Sequence, residues 1–157
     1  MTSEGITIRI AHPADAPGIA RVLHEFNLEF ATPSPGVDAL TPRVAHLLST
    51  DATFAVVAGD GPFLALALAT LRRNVWFDGP VALLDELVVE PRLRGQGIGS
   101  RVLARFMVEC HGRGVSLVEI NVDEPDIDAQ RFYRRHGFTD TEPDSTDRAF
   151  YFWQELD

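Results

Sequence analysis

Lysine is absent from the sequence, and cysteine occurs once, as Cys110. The absence of lysine excludes a Schiff-base mechanism, which needs a side-chain amine, and the nucleotide P-loop, which ends in lysine and a hydroxyl residue. A single cysteine leaves no partner for a disulfide within these residues and is typical of reducing compartments, so we expect a cytoplasmic location.

Long apolar runs and metal-binding histidine patterns are also missing. No stretch approaches ~18 uninterrupted apolar residues, and residues 1–10 lack the basic start and apolar core of a signal peptide. We therefore expect no membrane attachment. The five histidines show no paired ligand spacing, which predicts that the protein holds no metal.

Positive charge is scarce as well. Fourteen arginines stand against 23 acidic residues, which gives a formal net charge of −9. Because phosphate contacts need clustered cations, we expect no nucleic-acid partner, whereas cationic partners such as amines suit an acidic chain. A length of 157 residues allows one domain with a sizeable core, so residues 1–157 are predicted to form a single domain.

A strand, a glycine-rich loop and a helix follow one another near the middle of the sequence. The apolar run Leu83–Val89 predicts a buried strand, which ends before Pro91 because proline cannot donate to a sheet. Three glycines follow within Gly95–Gly99, and an apolar stripe predicts a helix from about Ile98. Such a loop can present main-chain amides to an anion, although a simple capping loop without a ligand is the alternative.

Two motifs, in this order, carry a family resemblance. The pattern Arg94-x-x-Gly97-x-Gly99 lacks the third glycine of a dinucleotide fingerprint, and resembles the pyrophosphate loop of the GNAT superfamily of N-acetyltransferases. The later segment Phe132–Phe138 is similar to a second signature of that family, (L/F)-Y-x-x-x-G-F. Together they favour a ligand-binding loop over a capping loop.

The resemblance implies the α+β fold of that family. Its central sheet is mixed, mostly antiparallel and twisted, with about seven strands, helices on both faces and splayed central strands that form the CoA cleft. The patterns predict strands over residues 6–10, 53–58, 63–71, 83–89, 117–122, 138–141 and 148–154, and helices over residues 15–30, 41–49, 98–112 and 129–135.

The donor implied by the resemblance is acetyl-CoA. Main-chain amides of the glycine loop would hold its pyrophosphate, Leu87 and Val89 would pair with its pantetheine arm, and an amide of Val88 or Val89 would stabilise the thioester oxyanion. The implied donor-binding residues are Leu87, Val88, Val89, Arg94, Gly95, Gln96, Gly97, Ile98, Gly99, Ser100 and Asn121. Asp126 stands where many family members carry an asparagine that touches CoA, and we expect it to cap a helix.

The implied reaction is direct acetyl transfer to a primary amine of a small molecule or peptide in a ternary complex. Tyr133 matches the family tyrosine that protonates the departing thiolate. Asp85 and Glu86 are the candidates for the base, because charge inside an apolar strand is costly unless it is paired or faces a cavity. Adjacent strand residues point to opposite faces, so only one acid is expected to face the acceptor. Glu86 is slightly favoured, and the other acid could pair with Arg72, Arg73 or Arg148.

No sequence motif identifies the residues that bind the acceptor. Glu29 and Phe30, at the end of the first predicted helix, and Trp76, on a loop, are candidates for the acceptor wall, with packing or plain exposure as the alternative for each. The alternatives for the whole protein are a CoA-binding sensor without turnover and an acetyltransferase of protein N-termini or lysines. A homodimer that uses the aromatic last strand is a further expectation.

Overall fold

The computed structural model describes residues 5–156. Its strands are β1 (Ile8–Ile10), β2 (Thr53–Ala58), β3 (Ala65–Arg72), β4 (Val81–Val89) and β5 (Leu117–Ile120). Its α-helices are α1 (Ala16–Glu29), α2 (Val37–Leu48), α3 (Ile98–Gly112) and α4 (Ile127–Arg135), and short 3₁₀ turns span Pro13–Asp15 and Pro91–Leu93. Within residues 5–156, no helix is both long and apolar enough to cross a membrane.

The strands form one mixed sheet in the order β1-β2-β3-β4-β5. The first three pairings are antiparallel. The chain then leaves β4 through the glycine loop and α3 before it returns as β5, which is the crossover that a parallel neighbour requires. The glycine loop therefore lies at the end of a strand in the interior of the sheet.

Helices cover both faces of the sheet. Every residue of β2 is buried, and its side chains alternate between two cores. Ala55 and Val57 pack with α1 and α2, whereas Phe54 stacks on Phe106 of α3 at a centroid distance of 5.3 Å. The apolar stripe of α3 includes Cys110, which is buried with its pKa raised to about 11 by burial, as expected of an inert thiol.

The described residues contain five strands rather than the predicted seven. Where strands were expected over residues 138–141 and 148–154, the structure has a single antiparallel bridge between Thr141 and Arg148. Phe150, Tyr151, Phe152 and Trp153 are all exposed. Their strand propensity alone was misleading, because it expresses packing against neighbouring strands, which this segment lacks in the described structure. The homodimer stays a prediction.

Helix boundaries differ from the prediction at α2. The helix begins at Val37, and Pro42 lies inside it rather than at its start. Gly36, with φ of +90°, is the N-cap, and its carbonyl accepts a hydrogen bond of 3.0 Å from the amide of Leu40. The first turn therefore closes before the proline, and Pro42, in the second turn, leaves the carbonyl of Asp38 without the amide donor that another residue would supply.

Packing divides the described residues into two units, one ending at Glu119 and one beginning at Ile120. The first unit contains the sheet through most of β5 together with α1, α2 and α3. The second contains α4 and the segment after it. The single domain over residues 1–157 stays a prediction.

Candidate functional site

A β-bulge in β4 lies at the predicted acid pair. Leu68 of β3 is opposite Glu86, and the next residue, Ala69, is opposite Leu84, so Asp85 is an additional residue with no partner in β3. An extra residue bends the strand and breaks the two-residue alternation of its side chains. The bulge therefore decides where both carboxylates point.

Both carboxylates lie on the face of the sheet that α1 and α2 cover. Leu66, Leu68 and Thr70 alternate along β3, and Leu66 belongs to the α1/α2 core. Glu86 is the register partner of Leu68. Asp85 accepts a hydrogen bond of 2.7 Å from the Thr70 hydroxyl. The prediction that the two adjacent acids point to opposite faces is therefore wrong, because the bulge restores the second acid to the face of the first.

The environment of Glu86 makes it a weaker acid than an exposed glutamate. Its pKa is raised to about 6, first by burial and second by the neighbouring charge of Asp85. Burial also raises the pKa of Asp85, and the hydrogen bonds from Thr70 oppose that shift. A carboxylate whose pKa lies near the working pH can both hold and release a proton, which is what a general base needs.

In the part of the chain that the structure describes, no arginine forms a salt bridge with either acid, although pairing with Arg72, Arg73 or Arg148 was one expectation. Arg72 forms a salt bridge of 2.7 Å with Glu119, and Arg73 donates to the main-chain carbonyl of Asp78. Arg148 lies 3.7 Å from Glu124. Among the described residues, Glu86 forms no ion pair, so no neighbouring cation offsets its charge.

The end of β4 has main-chain groups that point away from β3. The amide of Glu90 donates to the carbonyl of Leu64 at 2.9 Å. Because successive residues of a strand direct their amides to alternate edges, the amides of Leu87 and Val89 point to the opposite edge, and that of Val88 points to β3.

The neighbouring strand β5 is too short to cover that edge. It has four residues against nine in β4. The amide of Ser116, just before β5, donates to the carbonyl of Pro80, just before β4, so the two strands start level. Within the described sheet, β5 ends before Leu87–Val89, and we call this segment the free edge of β4. On that edge, the carbonyl of Val89 accepts a hydrogen bond from Nε of Arg94, and the amides of Leu87 and Val89 pair with no strand.

The glycine loop is open on the side that an approaching group would use. Gly95 and Gly97 have φ of +72° and +84°, a backbone region that disfavours other residues. A methyl group added at either position would meet no atom of residues 5–156 within 4 Å. Gly97 is also the N-cap of α3. The loop is therefore not sealed beneath other side chains.

The amides of this loop form a set of unsatisfied donors. Among the described residues, the N–H groups from Gly95 to Ser100 have no hydrogen-bond acceptor, and the first amide of the helix with a partner is that of Arg101, which donates to Gly97. Together with the positive end of α3, they suit a diphosphate. Gln96 donates its side-chain amide to the carbonyl of Arg92, and Arg92 itself pairs with Glu90.

Glu29 and Arg94, predicted for opposite substrates, bind each other. The two guanidinium nitrogens of Arg94 lie 2.6 and 2.8 Å from the two oxygens of Glu29. Phe30 follows as the C-cap of α1, half exposed, with its ring 4.9 Å from that of Phe26. The end of α1 therefore stands beside the start of the glycine loop.

Trp76 lies at the other end of the sheet. It is 83% exposed on the loop between β3 and β4, next to exposed Val75. That loop precedes Val81 and the glycine loop follows Val89, so a strand of roughly 26 Å separates them. The structure brings Glu29 and Phe30 to the glycine loop and does not bring Trp76 there.

The remaining predicted residues belong to the second unit. Tyr133 lies on α4, half-buried, with edge-on ring contacts to Phe132 and Phe138. Asn121 is exposed just after β5. Asp126 accepts a hydrogen bond of 3.0 Å from the amide of Ala129, which confirms its expected role as the cap of α4.

Thr70 is a site residue that the sequence did not reveal. It is one hydroxyl in an apolar strand, and its partnership with Asp85 depends on the register of β3 and β4. The sequence indicates Thr70 only as a polar side chain at a position where the alternation of Leu66 and Leu68 predicts an apolar one.

Replacing Glu86 by glutamine is expected to stabilise the protein at neutral pH. The unfolded carboxyl releases its proton near pH 4.5 and the folded one near pH 6. The folded protein therefore binds more protons in that window, and the wild-type free energy of unfolding falls as the pH rises through it. Glutamine removes this loss, with a gain on the order of 1 kcal/mol above the window and little change below it.

Urea unfolding at pH of about 4 and about 7.5 measures this difference. Glu25→Gln is the control, because Glu25 is exposed on α1. An equal gain from Glu86→Gln at both pH values would contradict the titration of Glu86.

The chain is similar in sequence to known acetyltransferases. The model of the acetyltransferase (GNAT) family matches residues 19–138. An aminoglycoside N(6')-acetyltransferase type 1 from Stenotrophomonas maltophilia is 29% identical over 160 residues, covering 100% of this chain and 98% of the relative. An aminoalkylphosphonate N-acetyltransferase from Salmonella typhimurium is 30% identical over 94 residues, which span 60% of this chain and only 61% of that relative.

Solved structures extend the likeness over the whole chain. A protein from Arthrobacter sp. FB24, named as a candidate acetyltransferase, is 46% identical with a TM-score of 0.90, and the match covers 99% of each chain. The aminoglycoside acetyltransferase AAC(6')-Iy, bound to the bisubstrate analogue CoA-S-monomethyl-acetylneamine, is 18% identical with a TM-score of 0.76 over 98% of this chain and 100% of its own. At that identity, the second likeness concerns the fold alone.

Proposed function

The chain belongs to the acetyltransferase (GNAT) family, and from this premise we propose that this N-acetyltransferase moves an acetyl group from acetyl-CoA to a primary amine of a small cationic molecule. The transfer is direct, within a ternary complex of donor, acceptor and protein. The observation that carries the proposal is the bulge at Asp85, which turns two carboxylates without arginine partners toward one face of the sheet.

The donor would be held by main chain rather than by cations. The unsatisfied amides from Gly95 to Ser100 suit its diphosphate, and the free edge of β4 suits its pantetheine amides as an added strand. Acetyl-CoA supplies an acetyl group activated as a thioester. Because the Val88 amide points to β3, the amides of Leu87 and Val89 remain as donors to the thioester oxygen.

The acid pair would act on the acceptor. An amine arrives mostly as an ammonium ion at neutral pH, and a pair of carboxylates attracts it. Glu86 then takes a proton from the nitrogen, whose lone pair becomes available for attack, and Asp85 keeps its negative charge with the help of Thr70. Glu86 passes this proton to solvent. The nitrogen forms the new C–N bond as the C–S bond of the thioester breaks, and its second proton replaces the one that Tyr133 gives to the thiolate.

Tyr133 is the proposed donor of a proton to the departing thiolate. The phenol has a reference pKa of about 10 and a thiol one of about 8.5, so the transfer needs help from the surroundings. The ring of Tyr133 contacts those of Phe132 and Phe138 edge-on, and all three lie in α4 and the turn after it.

Relatives support the acceptor class. Two of them are named for aminoglycosides and aminoalkylphosphonates, which are small molecules that carry amines. An overall charge of −9 favours cationic amines, such as the aminoglycosides, over acceptors that carry an acidic group, such as the aminoalkylphosphonates.

Release of free thiol from acetyl-CoA, measured with a panel of amines, tests the proposal. The panel contains an aminoglycoside, an aminoalkylphosphonate, a linear polyamine and a peptide with a free N-terminus. We expect turnover with small cationic amines. Preference for the peptide would favour a protein N-terminal or lysine acetyltransferase, and CoA binding without turnover on any amine would favour a CoA-binding module. Either result would overturn the proposed acceptor class.

A further inference from the structure

Arg94 joins three separate parts of the first unit. Its Nε donates to the main-chain carbonyl of Val89 at 2.9 Å, at the end of β4. Its two terminal nitrogens bind both oxygens of Glu29, the last residue of α1. Arg94 itself begins the glycine loop. One guanidinium therefore spans strand end, helix end and loop, in the planar two-point geometry that lysine cannot reproduce.

The helix end that carries Glu29 is itself held in place. Ala31 has φ of +51°, an uncommon conformation for a residue with a side chain, and it ends the helix. The amide of Thr32 donates to the carbonyl of Asn27 at 2.8 Å, and the Asn27 side chain donates to the carbonyl of Pro33. The segment after α1 is therefore hydrogen-bonded back to the last turn of the helix, next to Glu29.

The ion pair is too exposed to be important for global stability. The side chains of Arg94 and Glu29 are 40% and 31% exposed. The hydrogen bond from Arg94 lowers the pKa of Glu29, so the pair is fully charged at neutral pH. Exposed pairs typically contribute little to the free energy of unfolding, which points to positioning rather than stabilisation.

We propose that Glu29 is a positioning residue of the donor site, which acts through Arg94 to hold the glycine loop against the end of β4. Rather than Arg94 binding phosphate and Glu29 binding acceptor, each orients the other. The inference rests on the proposed function, because it takes the loop amides as the site for the donor diphosphate. It implies that loosening the link weakens donor binding more than it slows transfer.

Calorimetric titration with CoA tests the link without any acceptor. Glu29→Gln is expected to weaken CoA binding about three- to fivefold. Arg94→Gln should weaken it at least as much, because it also removes the contact with Val89, and the double variant should bind no more weakly than Arg94→Gln alone. In turnover, Glu29→Gln should raise KM for acetyl-CoA by the same factor and leave kcat at saturating donor within about twofold. The melting temperature should move by less than about 2 °C.

Glu25→Gln is the matched control, since Glu25 lies one turn earlier on α1 and is exposed. It should bind CoA as the wild type does. Equal CoA affinity of Glu29→Gln and wild type would overturn the inference alone, and so would additive losses in the double variant. A wild type that binds CoA yet acetylates no amine would overturn the proposed function and leave the positioning role standing, whereas a wild type that ignores CoA would overturn both.

Discussion

Replacing Glu86 by glutamine is expected to lower kcat for acetyl transfer about 10²–10⁴-fold at neutral pH, the usual contribution of a general base. Glutamine keeps the size and polarity of the side chain in the half-buried position opposite Leu68, but it cannot accept a proton. The expected gain in stability of the same variant separates loss of chemistry from loss of folding. Steady-state kinetics at saturating acetyl-CoA measures the effect.

The pH dependence of activity shows which carboxylate acts as the base. Wild-type activity should fall on the acid side with an apparent pKa of about 6, the value that burial and the Asp85 charge give Glu86. In Glu86→Gln this limb should disappear, and the residual rate should climb with pH as the amine loses its own proton in solution.

Asp85→Asn provides the matched comparison. It removes the charge that contributes to the raised pKa of Glu86, so the acid limb should move to lower pH with a smaller loss of rate. If Asp85→Asn were the variant that lost the limb, Asp85 would be the base. If neither variant changed the limb, a path to water would take the proton.

Local patterns in the sequence predict the strand, the loop and the helix of the proposed donor site. The apolar run before Pro91, the spaced glycines and the stripe of α3 are all set by neighbouring residues, and the structure has a strand, an open loop and a helix from Ile98 at those positions. Positive φ at Gly95 and Gly97 is a property of the residues themselves, and so it could be anticipated.

Features that depend on distant residues could not be predicted in this way. The bulge at Asp85 exists only in relation to the register of β3, and it reverses the expectation that alternation would separate the two acids. The Glu29–Arg94 link joins residues 65 positions apart, each of which had a plausible separate role. The last two expected strands failed for a related reason, since strand propensity does not supply a partner.

Replacing Gly79 by alanine is expected to destabilise the first unit by about 3 kcal/mol, the upper range for an overpacked site. A methyl group there would lie 2.0 Å from the carbonyl oxygen of Gly114 and 2.7 Å from the Ser116 hydroxyl. The first of these atoms is main chain in a turn with φ of +68° at Gly114, so it cannot rotate away as a side chain would. Urea unfolding gives the loss directly.

The same substitution at Gly112 is the control, because a methyl group there meets nothing within 4 Å and the residue closes α3. Alanine should be neutral or stabilising by up to about 1 kcal/mol at that position. Gly79 matters for the site because its amide donates to the Ser116 hydroxyl, and the amide of Ser116 donates to the carbonyl of Pro80. These two hydrogen bonds set where β5 starts relative to β4. If Gly79→Ala were as stable as the wild type, the start of β5 could shift along β4. The contacts at Gly79 and Ser116 would then not determine where β5 ends relative to Leu87–Val89.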